Sequence, residues 1–141
     1  MDCKNLATLH DRLNRRMKCR FDAFFVDSPL TSMQALTLEY VMQNWKTRDV
    51  FPKDVEAFLS IRGSSAFSLI DNLNRNGYLK RESIPDDGRY RRLIPTEKAL
   101  ALQDDISDRI RRYTQSLFDG IPEDDLRVFE SVIRHLIKNA E

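Results

Sequence analysis

The stretch "PKDVEAFLSIRGSSAFSLIDNLNRNGYLKRESIPDDGRYRRLIPT", residues 52–96, decides the fold. It opens with Pro52, a residue suited to the first turn of a helix, and "PKDVEAFLS" reads as a short helix. "SIRG" (60–63) is a short glycine-containing turn. In the next helix, "GSSAFSLIDNLNRNG", Ala66, Leu69, Ile70 and Leu73 share one face. Ser65, Ser68, Asn72 and Arg75 share another at helical spacing, with Ser64 and Phe67 on its border. Gly77 ends the helix, as expected of a residue just past the last turn. Two helices joined this way form a helix-turn-helix. "YLKRESI" and "RYRRLI" then flank a "PDDG" turn, which reads as a β-hairpin closed by Pro95 and Thr96.

Working outward, "TSMQ" (31–34) is a capping box for a helix running to about Asn44, with Ala35, Leu38, Val41, Met42 and Trp45 inward. Residues 48–51 are a short extended link. A first helix over residues about 4–26 carries Leu6, Leu9, Leu13, Met17, Phe21 and Phe24 at amphipathic spacing, and Ser28-Pro29 stops it. Beyond the hairpin, Thr96 can cap one long fifth helix with Leu102, Ile106, Ile110, Tyr113 and Leu117 in a stripe. "DGIPED" breaks it, and a sixth helix over residues about 122–139 aligns Leu126, Phe129, Ile133 and Leu136.

The expected fold is mainly α with a small β-hairpin wing: a winged helix-turn-helix core plus N- and C-terminal dimerisation helices. The divisions expected are residues 1–30 (N-terminal dimerisation helix), 31–96 (core) and 97–141 (C-terminal dimerisation helices), in one structural domain. Helices one, five and six carry apolar stripes with few local partners, so a two-fold homodimer is expected to cover them.

Composition excludes several classes. With 141 residues, 41% hydrophobic and 32% charged, the chain is neither a disordered tail nor a membrane protein. The start "MDCKNLATLHDRLNRR" has no signal-peptide apolar run, so a cytoplasmic location is expected. Cys3 and Cys19 have no metal-site spacing, and no cofactor or metal is expected. No nucleophile–base pair or phosphate loop appears, which argues against an enzyme. Net charge is only +1, yet residues 1–20 hold six Lys/Arg against two Asp/Glu, and residues 60–98 hold eight against five. A local basic face of this kind suits phosphate contacts.

The chemistry follows from the two candidate reading elements. Small polar residues solvate many outer helices, but a serine-rich face also permits close approach to a partner surface. Serines can bond several bases, Asn72 can pair with adenine, and Phe67 can meet a thymine methyl. At the hairpin, Arg89 can enter a narrow minor groove, with Asp87 two residues earlier bracing its guanidinium. Arg91 and Arg92 point to opposite faces of a strand, so one is expected on phosphate and the other on a protein partner. The competing reading is a winged-helix protein–protein interaction module that sets the same face on an acidic partner.

"KDVEAFL", "IRGSSAFSLIDNLNRNGYL", the Asp-x-Arg wing "DGR" and "PTEKAL", all within residues 51–100, resemble the DNA-binding core of the MarR (multiple-antibiotic-resistance regulator) family. The flanking helix plan is similar too. The resemblance implies a dimeric winged-helix regulator of transcription that binds double-stranded DNA at palindromic operators. It also implies repression, and release of DNA by a small-molecule effector or an oxidant. It places the wing pair on Asp87 and Arg89, and the recognition-helix positions on Ser64, Ser65, Phe67, Ser68 and Asn72. Lys53, Arg62, Arg75, Lys80, Arg81 and Arg91 complete the expected DNA-binding set. Met17, Phe21, Tyr40 and Trp45 are candidates for an effector pocket. Cys19, among Arg15, Arg16, Lys18 and Arg20, is a candidate redox sensor.

Overall fold

The computed structural model describes residues 1–141 and contains seven helices and one hairpin. In chain order these are α1 (Cys3–Ala23), α2 (Ser32–Asn44), α3 (Pro52–Leu59), α4 (Gly63–Arg75), β1 (Leu79–Ile84), β2 (Asp87–Pro95), α5 (Glu97–Leu100), α6 (Gln103–Phe118) and α7 (Glu123–Ala140). The mainly helical plan with a two-stranded wing is the one the sequence leads to.

Local chemistry sets the boundaries. Both arms of the Thr31 capping box form: the Gln34 backbone N–H donates to Thr31 Oγ1 at 3.2 Å, and the Thr31 N–H donates to Gln34 Oε1 at 2.9 Å. Asp54 performs half of that task for α3, accepting from the Phe51 N–H at 2.8 Å. Ser60, with φ of 51°, turns the chain left-handed and stops α3. The end of α4 is a Schellman motif. Gly77 has φ of 78°, its N–H donates to the Asn74 carbonyl at 3.1 Å, and the Tyr78 N–H reaches the Leu73 carbonyl at 2.9 Å.

One core joins these parts. Leu38, Val41, Val50, Val55, Ile70, Leu73, Leu79, Leu93 and Ile106 are its fully buried large side chains, so α2, the link before α3, α3, α4, both strands and α6 all contribute. The link at Val50 is tied to the wing, because the Leu93 N–H donates to the Val50 carbonyl at 2.7 Å. The strands pair antiparallel from Leu79↔Pro95 to Ser83↔Arg91, and the register then jumps so that Ile84 faces Asp87. The tip is therefore a two-residue turn, Pro85-Asp86, rather than the full "PDDG", and Gly88, Arg89 and Tyr90 bulge from β2.

The fifth helix is broken where one continuous helix is expected. Its first turn is pinned to the base of the hairpin: the Thr96 hydroxyl donates to the Gly77 carbonyl at 2.6 Å, the Thr96 N–H to the Tyr78 carbonyl at 3.1 Å, and Lys98 to the Asn76 carbonyl at 2.7 Å. With Ala99 fully buried there, the chain turns at Ala101-Leu102 so that α6 can carry Ile106 into the core. Good helix-forming residues on both sides of the break conceal it in the sequence. α1 also ends earlier than expected, at Ala23, because turns over residues 24–28 bring Phe25 into the core. α1 and α7 contain no buried residue.

Candidate nucleic-acid interface

α4 carries its core residues at Ala66, Ile70 and Leu73, which leaves the opposite face of its first two turns outward. Arg62, at the N-cap position, is exposed, as are Ser64, Ser65, Phe67 and Ser68. The Ser68 hydroxyl donates back to the Ser64 carbonyl at 3.1 Å. These serines line an open groove of about 520 Å³ shared with Thr31, Gln34, Leu69 and Asn72. Asn72 is not free at its floor. Its carbonyl accepts from Gln34 Nε2 at 2.7 Å and from Asn76 Nδ2 at 2.9 Å. The expected adenine pairing would have to displace these bonds, and as folded Asn72 ties α4 to the start of α2. Gln34, set three residues after its cap, reaches both Thr31 and Asn72, a second role that the capping pattern does not announce.

The wing sorts its cations by strand alternation and by partner. Asp87 Oδ1 accepts from the Arg89 N–H at 3.0 Å and from Arg89 Nε at 3.2 Å, and Asp87 Oδ2 accepts from a terminal guanidinium nitrogen at 3.3 Å. The Arg89 guanidinium holds the Asp87 carboxyl below its ordinary range. Arg92 turns the other way, to Glu82 on β1 and to Asp49, 3.1 Å away on the link before α3. Arg91 and Lys80 are exposed. Of the adjacent arginines, Arg92 is thus the one with a protein partner.

Two residues of the expected DNA-binding set, Arg81 and Arg75, are engaged within the protein. Arg81 lies over the Phe67 ring, 5.5 Å from its centroid, and 4.0 Å from Asp71. Arg75 pairs with the same Asp71 at 3.0 Å. Lys53, on the first turn of α3, together with Arg62, Lys80 and Arg91, stands exposed without a carboxylate partner. Sequence reasoning missed Asp71 and Asp49 as the acceptors that organise this surface. It also missed Tyr90, whose ring sits edge-on to Phe51 at 6.2 Å. Only the spacing of four between Asp71 and Arg75 signals any of these contacts.

Of the candidate effector residues, Phe21, Tyr40 and Trp45 are partly buried against the core. Phe21 packs on Phe25 and Tyr113, with centroids 5.3 and 4.8 Å away. Tyr40 stacks on Phe58 at 4.4 Å and accepts a hydrogen bond from Arg48. Trp45 lies under Lys46, and Met17 is half-buried on α1. None of the four lines the serine groove of α4. Cys19 is exposed, as is Cys3. No group of three or more His, Cys, Asp or Glu residues is placed to hold a metal ion, and no helix is long and apolar enough to cross a membrane.

Comparison with known proteins fits this geometry. A model of the MarR family matches residues 28–89, from just before α2 to the wing tip. Among solved structures, the transcription regulator MarR from Oenococcus oeni PSU-1 is 26% identical, with 94% of this chain and 98% of that chain covered and a TM-score of 0.80. The S. aureus MepR–DNA complex superposes with a TM-score of 0.87 at 18% identity, over 96% of this chain and 98% of that one. Bordetella bronchiseptica BpsR, whose DNA binding is regulated by 6-hydroxynicotinic acid, is 22% identical, with a TM-score of 0.81 over 92% and 91%. No curated protein matches the sequence. The MarR family model thus lies across the helix-turn-helix and wing, and along nearly its whole length the chain is similar in fold to solved MarR-family transcription regulators.

Proposed function

We propose that the chain acts as a homodimeric, sequence-specific repressor of an approximately palindromic operator, in the cytoplasm, and that a small-molecule effector releases it. The observation that carries the reading is the pairing of an outward, serine-lined α4 with a wing arginine that a neighbouring carboxylate holds in place. In this reading α4 enters the major groove by its N-terminal half, and Arg89 enters the adjacent minor groove. Lys53, Arg62, Lys80 and Arg91 supply phosphate contacts, which fix position without reading sequence.

The dimer is supported by apolar surface that nothing within the chain covers. Leu6, Leu9 and Leu13 on α1 are 40–50% exposed, and Val128, Phe129, Val132, Leu136 and Ile137 on α7 are 43–65% exposed. A monomer rarely leaves contiguous apolar surface of this kind in water. The same stripes at the two ends of the chain suit a symmetric pairing. Two α4 helices on one face of a duplex would sit about 34–36 Å apart, one helical turn. Occupying a promoter this way blocks transcription, and the effector role draws on the ligand-regulated DNA binding of BpsR.

A gel-shift titration on random-sequence duplex at several salt concentrations tests the nucleic-acid reading. Affinity should fall steeply and linearly in log salt, because phosphate contacts release counterions. Absence of any salt-dependent shift would refute it and favour a protein partner for this face.

A further inference from the structure

We infer that Phe67 is a specificity-determining residue that reads the C5-methyl group of one thymine in each operator half-site, and that Arg81 and Asp71 position it. The inference rests on the DNA-binding reading above and deepens it. Phe67 is 62% exposed on a face where its neighbours Ser64, Ser65 and Ser68 are small and polar. It is the one exposed bulky side chain on α4's first two turns, Leu69 being half-buried at the edge of the serine groove. No aromatic partner packs on it. Its neighbour is Arg81 of β1, whose guanidinium lies over the ring at 5.5 Å. Asp71, one turn along α4 from Phe67, faces Arg81 at 4.0 Å and binds Arg75 at 3.0 Å.

This arrangement covers one side of the ring with a cation held from the protein side and leaves much of the rest open. A cation–π contact of this kind limits where the ring can lie without burying it. The major-groove floor offers hydrogen-bonding groups at every base pair but a single apolar group, the thymine methyl. An exposed phenyl ring with no polar atom gains nothing from the hydrogen-bonding groups and leaves them without a partner where it excludes water. Only the methyl complements it. Arg81, committed to this ring and to Asp71, serves the recognition helix rather than a phosphate.

The test starts from the tightest duplex selected from a random library, with each thymine replaced singly by deoxyuridine, which removes only the methyl group. The wild-type dissociation constant should rise about fourfold at one thymine per half-site, the worth of burying one methyl-sized group. Phe67→Ala and Phe67→Gln should bind the thymine and uracil forms of that duplex equally well. Thermal melts should match wild type, because the side chain is largely outside the core. A uracil scan with no sensitive position would overturn the inference, as would undiminished discrimination by both variants. If no duplex is selected at all, the DNA-binding reading itself falls. If duplexes are selected and the scan is silent, only the role of Phe67 falls.

Discussion

Asp87 and Arg89 form a two-pronged ion pair at the wing tip, closed further by the Arg89 backbone N–H on the same carboxylate. The Arg89 side chain is 86% exposed and the Asp87 side chain 27%. The carboxylate thus lies against the turn while the guanidinium projects from it. The acid shapes the irregular end of the hairpin, where the register jumps, and presents the base.

Arg89→Ala should weaken operator binding at least about tenfold, the scale of one lost groove contact. Its thermal midpoint should match wild type, because the side chain buries almost nothing. Asp87→Ala should weaken binding less, since it frees the guanidinium without deleting it. Titration by fluorescence anisotropy, with thermal melts alongside, checks both. Full-strength binding by Arg89→Ala at moderate salt would remove the wing from the interface.

The adjacent arginines should part company. Arg91→Ala should reduce the slope of log affinity against log salt by about one, the signature of a single lost phosphate contact, and leave the melt unchanged. Arg92→Ala should instead lower the melting midpoint, because Glu82 and Asp49 lose their shared partner and the wing loses its tie to the link before α3. Equal salt slopes for wild type and Arg91→Ala would contradict the assignment.

Leu136→Asp places a charge on the exposed apolar face of α7, where Leu136 is 52% exposed. The monomer fold should survive, since α7 contributes no buried residue, but the dimer should not. Sedimentation velocity should show a single species of half the wild-type mass. An unchanged dimer would refute the choice of interface.

Glu39 of α2 accepts a hydrogen bond from Ser107 of α6 at 3.3 Å, and burial raises its carboxyl above the ordinary 4.5. In the window just above that value the folded state binds more protons than the unfolded one, so ionisation of Glu39 lowers stability as pH rises through it. Glu39→Gln keeps the acceptor oxygen and removes the charge. It should be more stable than wild type at pH 7, with the gain disappearing once the pH falls below the ordinary carboxylate range. Urea unfolding at both pH values checks this, and a gain that persists in acid would contradict it.

What the sequence reveals and conceals follows one rule. Features whose cause is local are readable: the Thr31–Gln34 box, Pro52 at the start of α3, Gly77 past α4, and the Asp87–Arg89 pair two residues apart. The alternation of Arg91 and Arg92 also foretells that one would find a protein partner. Features whose cause is distant are not readable. Asp49 lies 43 residues from the arginine it holds, and Gln34 lies 38 residues from Asn72. Arg109, only 12% exposed on α6, reaches back to the Phe24 carbonyl at 2.8 Å and to Asp27, and nothing near it in the chain marks this. The break between α5 and α6 is hidden for the same reason, since the hairpin base imposes it. In the candidate interface, the exposed set on α4 is legible from periodicity. The recruitment of Arg81 to Phe67 is not, because it depends on how β1 crosses α4.

The most direct test of the account is selection of bound sequences from a random duplex library with the wild-type chain, followed by a mass measurement of the complex on the selected duplex. A homodimer that sets two α4 helices in successive major grooves should select an inverted repeat whose half-site centres lie about one helical turn apart, bound by two chains. Recovery of a non-repeated site bound by one chain, or of no enriched sequence, would contradict it.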